Sequence, residues 1–217
     1  MRVFALILAL TLATPARPCE VALLLAIDVS GSIDAGEYRT QAEGTATALQ
    51  DPAVAEALLR GQVALAVMHW SSLGQQALVL PWTRMLTPRQ IDATAAAIRL
   101  APRAFSGSDT AVGQAIDAAL PLFAQVPDCT RLILDMSGDG PENMGNTARA
   151  ARSRAAAAGV AINAIAIEDV GQSTAITRFY RDWVITKGGF VITSRGVNAY
   201  PQAIRQKLLR ELEKPAS

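Results

Sequence analysis

The apolar run Val21–Ile27 (VALLLAI) shows no polar/apolar alternation and breaks at once into Asp28-Val29-Ser30-Gly31-Ser32. A strand that is apolar at every position must be covered on both faces, the condition of a central strand in a parallel sheet with helices on either side. The five residues that follow add chemistry to this constraint. Alternate side chains of an extended segment share a face, so Asp28, Ser30 and Ser32 can converge where Val29 and Gly31 cannot. One carboxylate and two hydroxyls are hard oxygen ligands of the kind that suit Mg²⁺. The competing reading is a serine-rich turn whose acid caps the next helix.

A chain of 217 residues is long enough to bury a large core as one domain. Its hydrophobic content of 51% with only 5% aromatics suits an α/β protein with closely packed, Ala-rich helices. Twenty basic residues against nineteen acidic ones give a formal net charge of +1. That balance supplies neither a nucleic-acid footprint nor a polybasic membrane surface, and no nucleic-acid partner is expected.

Met1-Arg2, the apolar stretch Val3–Leu12 and the small residues up to Ala16 predict an export signal over residues 1–16. Cleavage is expected between 16 and 18, leaving a domain over 19–214. The apolar stretch is too short to cross a bilayer, so the expected product is periplasmic or secreted, with no membrane span. Cys19 lies near the cut, but Ala16-Arg17-Pro18 is a poor lipid-attachment sequence, and lipoprotein anchoring is the weaker alternative. An exported compartment lets a disulfide between Cys19 and Cys129 persist. Two unrelated buried thiols are the other reading.

Along the chain, short apolar runs alternate with helical patterns, as βαβ units require. Strands are expected at Val21–Ile27, Gln62–Trp70, Arg131–Met136, Val160–Ile167 and Gly189–Thr193, with an antiparallel hairpin partner at Gln75–Leu80. Asp34 and Glu37 have capping-box spacing and predict a helix to about Gln50. Thr87-Pro88-Arg89-Gln90 predicts a second helix, running to about Leu100. Further helices are expected over 111–125, 147–158, about 174–184 and 198–213.

Open parallel sheets bind ligands outside the carboxyl ends of their strands, where strand order reverses. Asp28 ends the first strand, and Asp139 lies just past Arg131–Met136. If these strands are neighbours, the two acids face one another. The same adjacency would set Cys19 beside Cys129, because the cysteines precede the acids by nine and ten residues.

Taken together, Asp28-x-Ser30-x-Ser32, Thr110 in the loop Gly107-Ser108-Asp109-Thr110, and Asp139-Gly140 resemble the metal-ion-dependent adhesion site (MIDAS) of von Willebrand factor A domains. Val67–Ser72 (VMHWSS) resembles that family's second strand and hairpin. Ala155–Ile167 resembles its Ala-rich helix leading through Gly-Val into a strand, and the likeness spans about residues 20–213. The stretch Ser137–Asn143 is similar to an uncharacterised exported branch, a domain of unknown function.

The resemblance implies one α/β domain, with a Rossmann-like, doubly wound, mostly parallel sheet and one antiparallel edge strand. It implies hydroxyl ligands from Ser30, Ser32 and Thr110, with Asp28 and Asp139 binding directly or through water. Mg²⁺ or Mn²⁺ would then complete its coordination with a carboxylate from a protein or peptide. Where the family usually has Thr directly before Asp-Gly, Ser137-Gly138 stands here, so Asp135 is kept as an alternative acid. Asp109 reads as an acceptor behind the ligands or as a helix cap. Glu142, with Glu168 and Asp169, reads as shaping partner choice or as a solvated loop acid.

Other residues point to no competing chemistry. His69 reads as a packed histidine, since no Gly-x-Ser-x-Gly elbow accompanies it. Trp82 reads as packing, and Arg149, Arg152 and Arg154 as a solvated helix face. The expected function is an exported, metal-dependent protein-binding module rather than an enzyme. A metal-dependent hydrolase or phosphoryl-transfer enzyme is one alternative. It needs a phosphate-holding cation, and Lys187, Lys207 and Lys214 all lie late in the chain. A structural domain without metal is the other.

Overall fold

The computed structural model describes residues 19–171 and 174–213, so the expected export signal lies outside the described residues. Among these, six strands form one sheet: β1 (Cys19–Asp28), β2 (Ala64–Trp70), β3 (Gln76–Arg84), β4 (Cys129–Gly138), β5 (Val160–Glu168) and β6 (Val191–Arg195). Their spatial order is β3-β2-β1-β4-β5-β6. All pairings are parallel except β2 with β3, which makes β3 the antiparallel edge strand expected from the sequence.

Both faces of the sheet are covered. Val21, Leu23, Leu25 and Ile27 of β1 pack with α1 (Ala35–Leu49), α2 (Pro52–Arg60), α3 (Pro88–Leu100) and α7 (Tyr200–Leu212). Ala22, Leu24 and Ala26 face the other way, toward α4 (Val112–Ala119), α5 (Ala148–Ala157) and the segment after α6 (Ala175–Phe179). This two-sided burial is the physical reason that β1 carries no polar alternation.

Several local signals act as expected. Asp34 and Glu37 form the reciprocal capping box of α1, and Thr87 with Pro88 starts α3. The structure adds α2, which the sequence reading left out. Its start is nonetheless conventional: Asp51 Oδ1 accepts from the backbone N–H groups of Ala53 and Val54, and Pro52 opens the helix. The expected 111–125 helix is α-helical only to Ala119 and continues as a 3₁₀ turn over Leu120–Gln125. Pro121 has no N–H to continue the ladder, and its ring crowds the preceding turn. β3 runs on past Leu80 through Pro81, which is tolerated because an edge strand with register shifts can spare that donor.

Cys19 and Cys129 are register partners at the start of β1 and β4, and they form a disulfide across 110 residues. On the chain-entropy model such a loop is worth about 4–5 kcal/mol. Replacing both cysteines with Ala is therefore expected to lower the thermal midpoint by roughly 10–15 °C. A calorimetric scan of the double variant beside the wild type measures this, and coincident midpoints would contradict it.

Candidate metal centre

The candidate site is built at the carboxyl ends of β1 and β4, the neighbours at which the chain order reverses. Asp28 is the last residue of β1 and is fully buried. Its Oδ1 accepts from the Ser30 N–H at 2.7 Å, whereas its Oδ2 has no hydrogen-bond partner among the described residues. Burial pushes its carboxyl up to about 7, the hydrogen bonds from Ser30 oppose that rise, and the nearby Asp139 adds to it. Ser30 Oγ lies 3.2 Å from Ser32 Oγ, and Ser32 Oγ donates to Asp139 Oδ1 at 2.7 Å. Residues far apart in sequence thus share one polar chain, from the buried Ser30 to the exposed Ser32 and half-buried Asp139.

Two loops lock this arrangement. Arg103 donates to the carbonyl oxygens of Val29 and Ser30 at 2.7–3.1 Å, holding the turn after β1 by its backbone. Thr110 is buried and exchanges hydrogen bonds with Asn143: its N–H donates to Asn143 Oδ1 at 2.8 Å, and its carbonyl accepts from Asn143 N at 3.1 Å. A Cβ placed on Gly140 would sit 3.8 Å from Thr110 Oγ1, so the Thr110 hydroxyl borders the segment directly after Asp139.

The remaining acids have other placements. Asp109 exchanges hydrogen bonds with the Ser72 hydroxyl through its backbone N–H at 3.1 Å and its Oδ2 at 3.4 Å. Glu142 accepts from Gly113 N at 2.8 Å and from Ala148 N at 2.9 Å, anchoring the N-terminal turns of α4 and α5 with a favourable negative charge. Asp135 belongs to the opposite face of the sheet, where it pairs with Lys207 on α7. Strand parity separates it from Asp28, as does its register opposite Leu25, three residues before the end of β1. Glu168 is buried and accepts from Thr177 N at 2.7 Å. Asp169, Glu37 and Arg195 instead line a cavity of about 240 Å³ beside Asp139. His69 is buried edge-on to Tyr38, and burial pushes its imidazole down to about 4, so it is a neutral packing residue.

Sequence reasoning missed Tyr180. Its hydroxyl is buried and without a partner among the described residues. A Cβ on Gly138 would collide with that hydroxyl and stand 3.0 Å from Asp28 Oδ2, so both groups border the same glycine. Burial and the charges of Asp28 and Asp139 push the phenol well above its usual range. A π-helical turn at Tyr180–Val184 presents the side chain, a departure from regular helix that recurs at functional sites. Nothing local in the sequence signals that turn.

The donor set has a chemical preference. A buried carboxylate oxygen with no donor is costly unless positive charge compensates it. The surrounding groups are hydroxyls and a second carboxylate, all hard oxygens. Among the described residues no three His, Cys, Asp or Glu side chains cluster as a metal site. Hydroxyl and carboxylate oxygens suit a small hard divalent cation rather than an imidazole or thiolate metal.

A family model described as "Protein of unknown function (DUF1194)" matches residues 18–216. No curated protein matches the chain. Similar solved structures include proximal thread matrix protein 1 from the mussel byssus, with a zinc-occupied MIDAS motif. That match has a TM-score of 0.66 at 20% identity, covering 91% of this chain and 49% of that one. The pilus adhesin SpaC of Lactobacillus rhamnosus GG matches with a TM-score of 0.62 at 14% identity, covering 92% and 31%. A von Willebrand factor type A protein from Catenulispora acidiphila matches with a TM-score of 0.63 at 18% identity, covering 89% and 43%. The chain spans half or less of the length of these proteins, and the likeness establishes a von Willebrand factor A fold.

The raised Asp28 has a consequence for stability. Its carboxyl ionises near 3.8 in the unfolded chain and near 7 in the folded protein. Between those values the unfolded state binds fewer protons, so stability falls as pH rises through the window. With chelator present, urea unfolding of the wild type is expected to lose about 2.5 kcal/mol from this group between pH 5 and pH 7.5. Asp28→Asn lacks the titration and should fall less steeply; parallel pH profiles for the two proteins would contradict the assignment.

Proposed function

This chain belongs to the DUF1194 family, and for it we propose the role of an exported protein-binding module that works through a divalent ion. The observation that carries the proposal is Asp28 Oδ2, a buried carboxylate oxygen with no donor among the described residues, at the strand ends where Ser30, Ser32 and Asp139 meet. Asp28 and Asp139 would balance the charge of the ion, and Ser30, Ser32 and Thr110 would add neutral oxygens. When bound, the ion supplies an electrophilic open position suited to a carboxylate from a protein or peptide partner. Mg²⁺ or Mn²⁺ is the proposed occupant, and the zinc-occupied MIDAS of the mussel protein supports the divalent class.

The surroundings suit docking. Leu73, Met144 and Val170, exposed by 48%, 36% and 88%, lie on the loops that follow β2, β4 and β5. These loops leave the carboxyl ends of parallel strands, as does the site, so exposed apolar side chains flank a polar centre. Export is supported by the Cys19–Cys129 disulfide, a bond that persists in oxidising compartments. The pilus adhesin among the structural neighbours supports an interaction role. Arg103, beside the motif, is committed to the Val29 and Ser30 carbonyls and does not supply the phosphate-holding cation that phosphoryl transfer requires.

Calorimetric titration of the full protein with Mg²⁺ and with Mn²⁺ tests the proposal. One ion should bind the wild type, and Asp28→Ala should abolish the binding while keeping a cooperative thermal transition. A wild type that takes up neither ion, alone or with a Glu-containing peptide, would overturn the reading. Metal-dependent turnover of phosphate or ester substrates would replace it with the enzymatic one.

A further inference from the structure

A second cluster of ionisable groups lies under α7, on the opposite face of the sheet from Asp28. Lys207, Asp135 and Glu211 are exposed by only 0%, 3% and 2%. Lys207 Nζ stands 2.5 Å from Asp135 Oδ1 and 2.6 Å from Glu211 Oε1. Asn163, the register partner of Asp135 on β5, donates from Nδ2 to Glu211 Oε1 at 2.8 Å. Its Oδ1 accepts from Phe190 N at 3.1 Å, which fixes the amide. Asp135 Oδ2 and Glu211 Oε2 have no partner among the described residues. Around the cluster lies the same apolar core that holds Ile133, Ile165, Ile204 and Leu208.

As an ion cluster this arrangement is incomplete. Within this buried trio two carboxylates face one ammonium, a surplus negative charge that is costly where water is scarce, and Arg131 and Arg210 line the cavity alongside Glu211. A proton on one acid removes the surplus. Burial, reinforced by the charge of Glu211 and opposed by Lys207, pushes the Asp135 carboxyl up, and the proton is assigned to Asp135. What remains is a lysine amine pressed against a carboxylic acid, with a second carboxylate bonded to the same nitrogen. Fixed contact of two reactants replaces a bimolecular encounter and removes much of its entropic barrier.

We propose that Lys207 and Asp135 condense to an intramolecular isopeptide bond, with Glu211 carrying the protons. Lys207 Nζ passes one proton to Glu211, and the freed amine attacks Cγ of the protonated Asp135. The new N–C bond forms a tetrahedral centre. Glu211 returns its proton to the departing hydroxyl, the C–O bond breaks, and water leaves. The nitrogen gives its surplus proton to Glu211, which ends neutral. One ammonium, one carboxylic acid and one carboxylate thus become an amide, a carboxylic acid and one water, with no oxidant or co-reactant. The product also holds no buried charge. A cavity of about 450 Å³, lined in part by Asn163, Phe190, Arg210 and Glu211, reaches the cluster and offers the water an exit.

The bond would tie α7, near the end of the described chain, to a central strand. β4 would then be held covalently at Cys129 by β1 and at Asp135 by α7. This inference does not rest on the metal centre.

Peptide mass spectrometry of the purified, reduced and trypsin-digested full protein tests it. The expected product is peptide 132–149 joined to peptide 206–210, one water mass below their sum and uncut after Lys207. Lys207→Arg should abolish the joined species, and Glu211→Gln should leave most of the chain unlinked. Recovery of 132–149 alone, with cleavage after Lys207 in the wild type, would overturn the proposal whether or not the variants fold. Full linkage in Glu211→Gln would overturn the role of Glu211.

Discussion

The structure turns on a carboxylate placed at the end of a strand that is buried on both faces. β1 can be apolar throughout because helices cover both sides of the sheet, and that cover is what excludes water from Asp28. Among the described residues only one of its two oxygens has a partner, the Ser30 N–H. Everything nearby then has a physical role. Arg103 holds the turn by its carbonyls, Ser32 connects it to Asp139, and Tyr180 closes the inner side. The site is a preformed deficit of positive charge, which suits it to a cation more than to proton-transfer chemistry.

β4 distributes acids between two environments by parity. Asp139 lies just past its end and joins the β1 turn through Ser32, while Asp135 points to the α7 face and meets Lys207. One strand therefore carries two separate electrostatic problems on opposite sides of the sheet. The candidate site at Asp28 is open on its Ser32 side, so its charge can be met from outside. The three side chains of the α7 cluster are buried, so most of their charge is met by one another. Glu142 illustrates a third solution, in which two helix N-termini supply the compensating partial charges.

Much of this was legible in the chain. Continuous apolar runs separated by capped helical patterns specify a mostly parallel α/β sheet, because helices must cover both faces of such strands. Asp-x-Ser-x-Ser was readable because its geometry is local to one extended segment. The nine- and ten-residue offsets from cysteine to acid anticipated the register of β1 with β4, since neighbouring parallel strands rise at the same rate per residue. The helix after Asp51-Pro52 was missed although its start signal is plain. The core-facing positions of Lys207 and Glu211 were equally readable from the three-to-four spacing of Tyr200, Ile204, Leu208 and Leu212 on α7.

What the chain alone determined was therefore what depends on near neighbours: strand burial, helix ends, and a turn presenting three oxygens. The packed fold alone decided which distant groups meet. Tyr180 beside Asp28, Arg103 on the β1 turn, Glu142 between two helices and Lys207 against Asp135 join residues far apart in sequence. Hydrogen bonds and ion pairs act over a few ångströms, and no periodicity in a linear chain encodes a distance of that kind between separate elements.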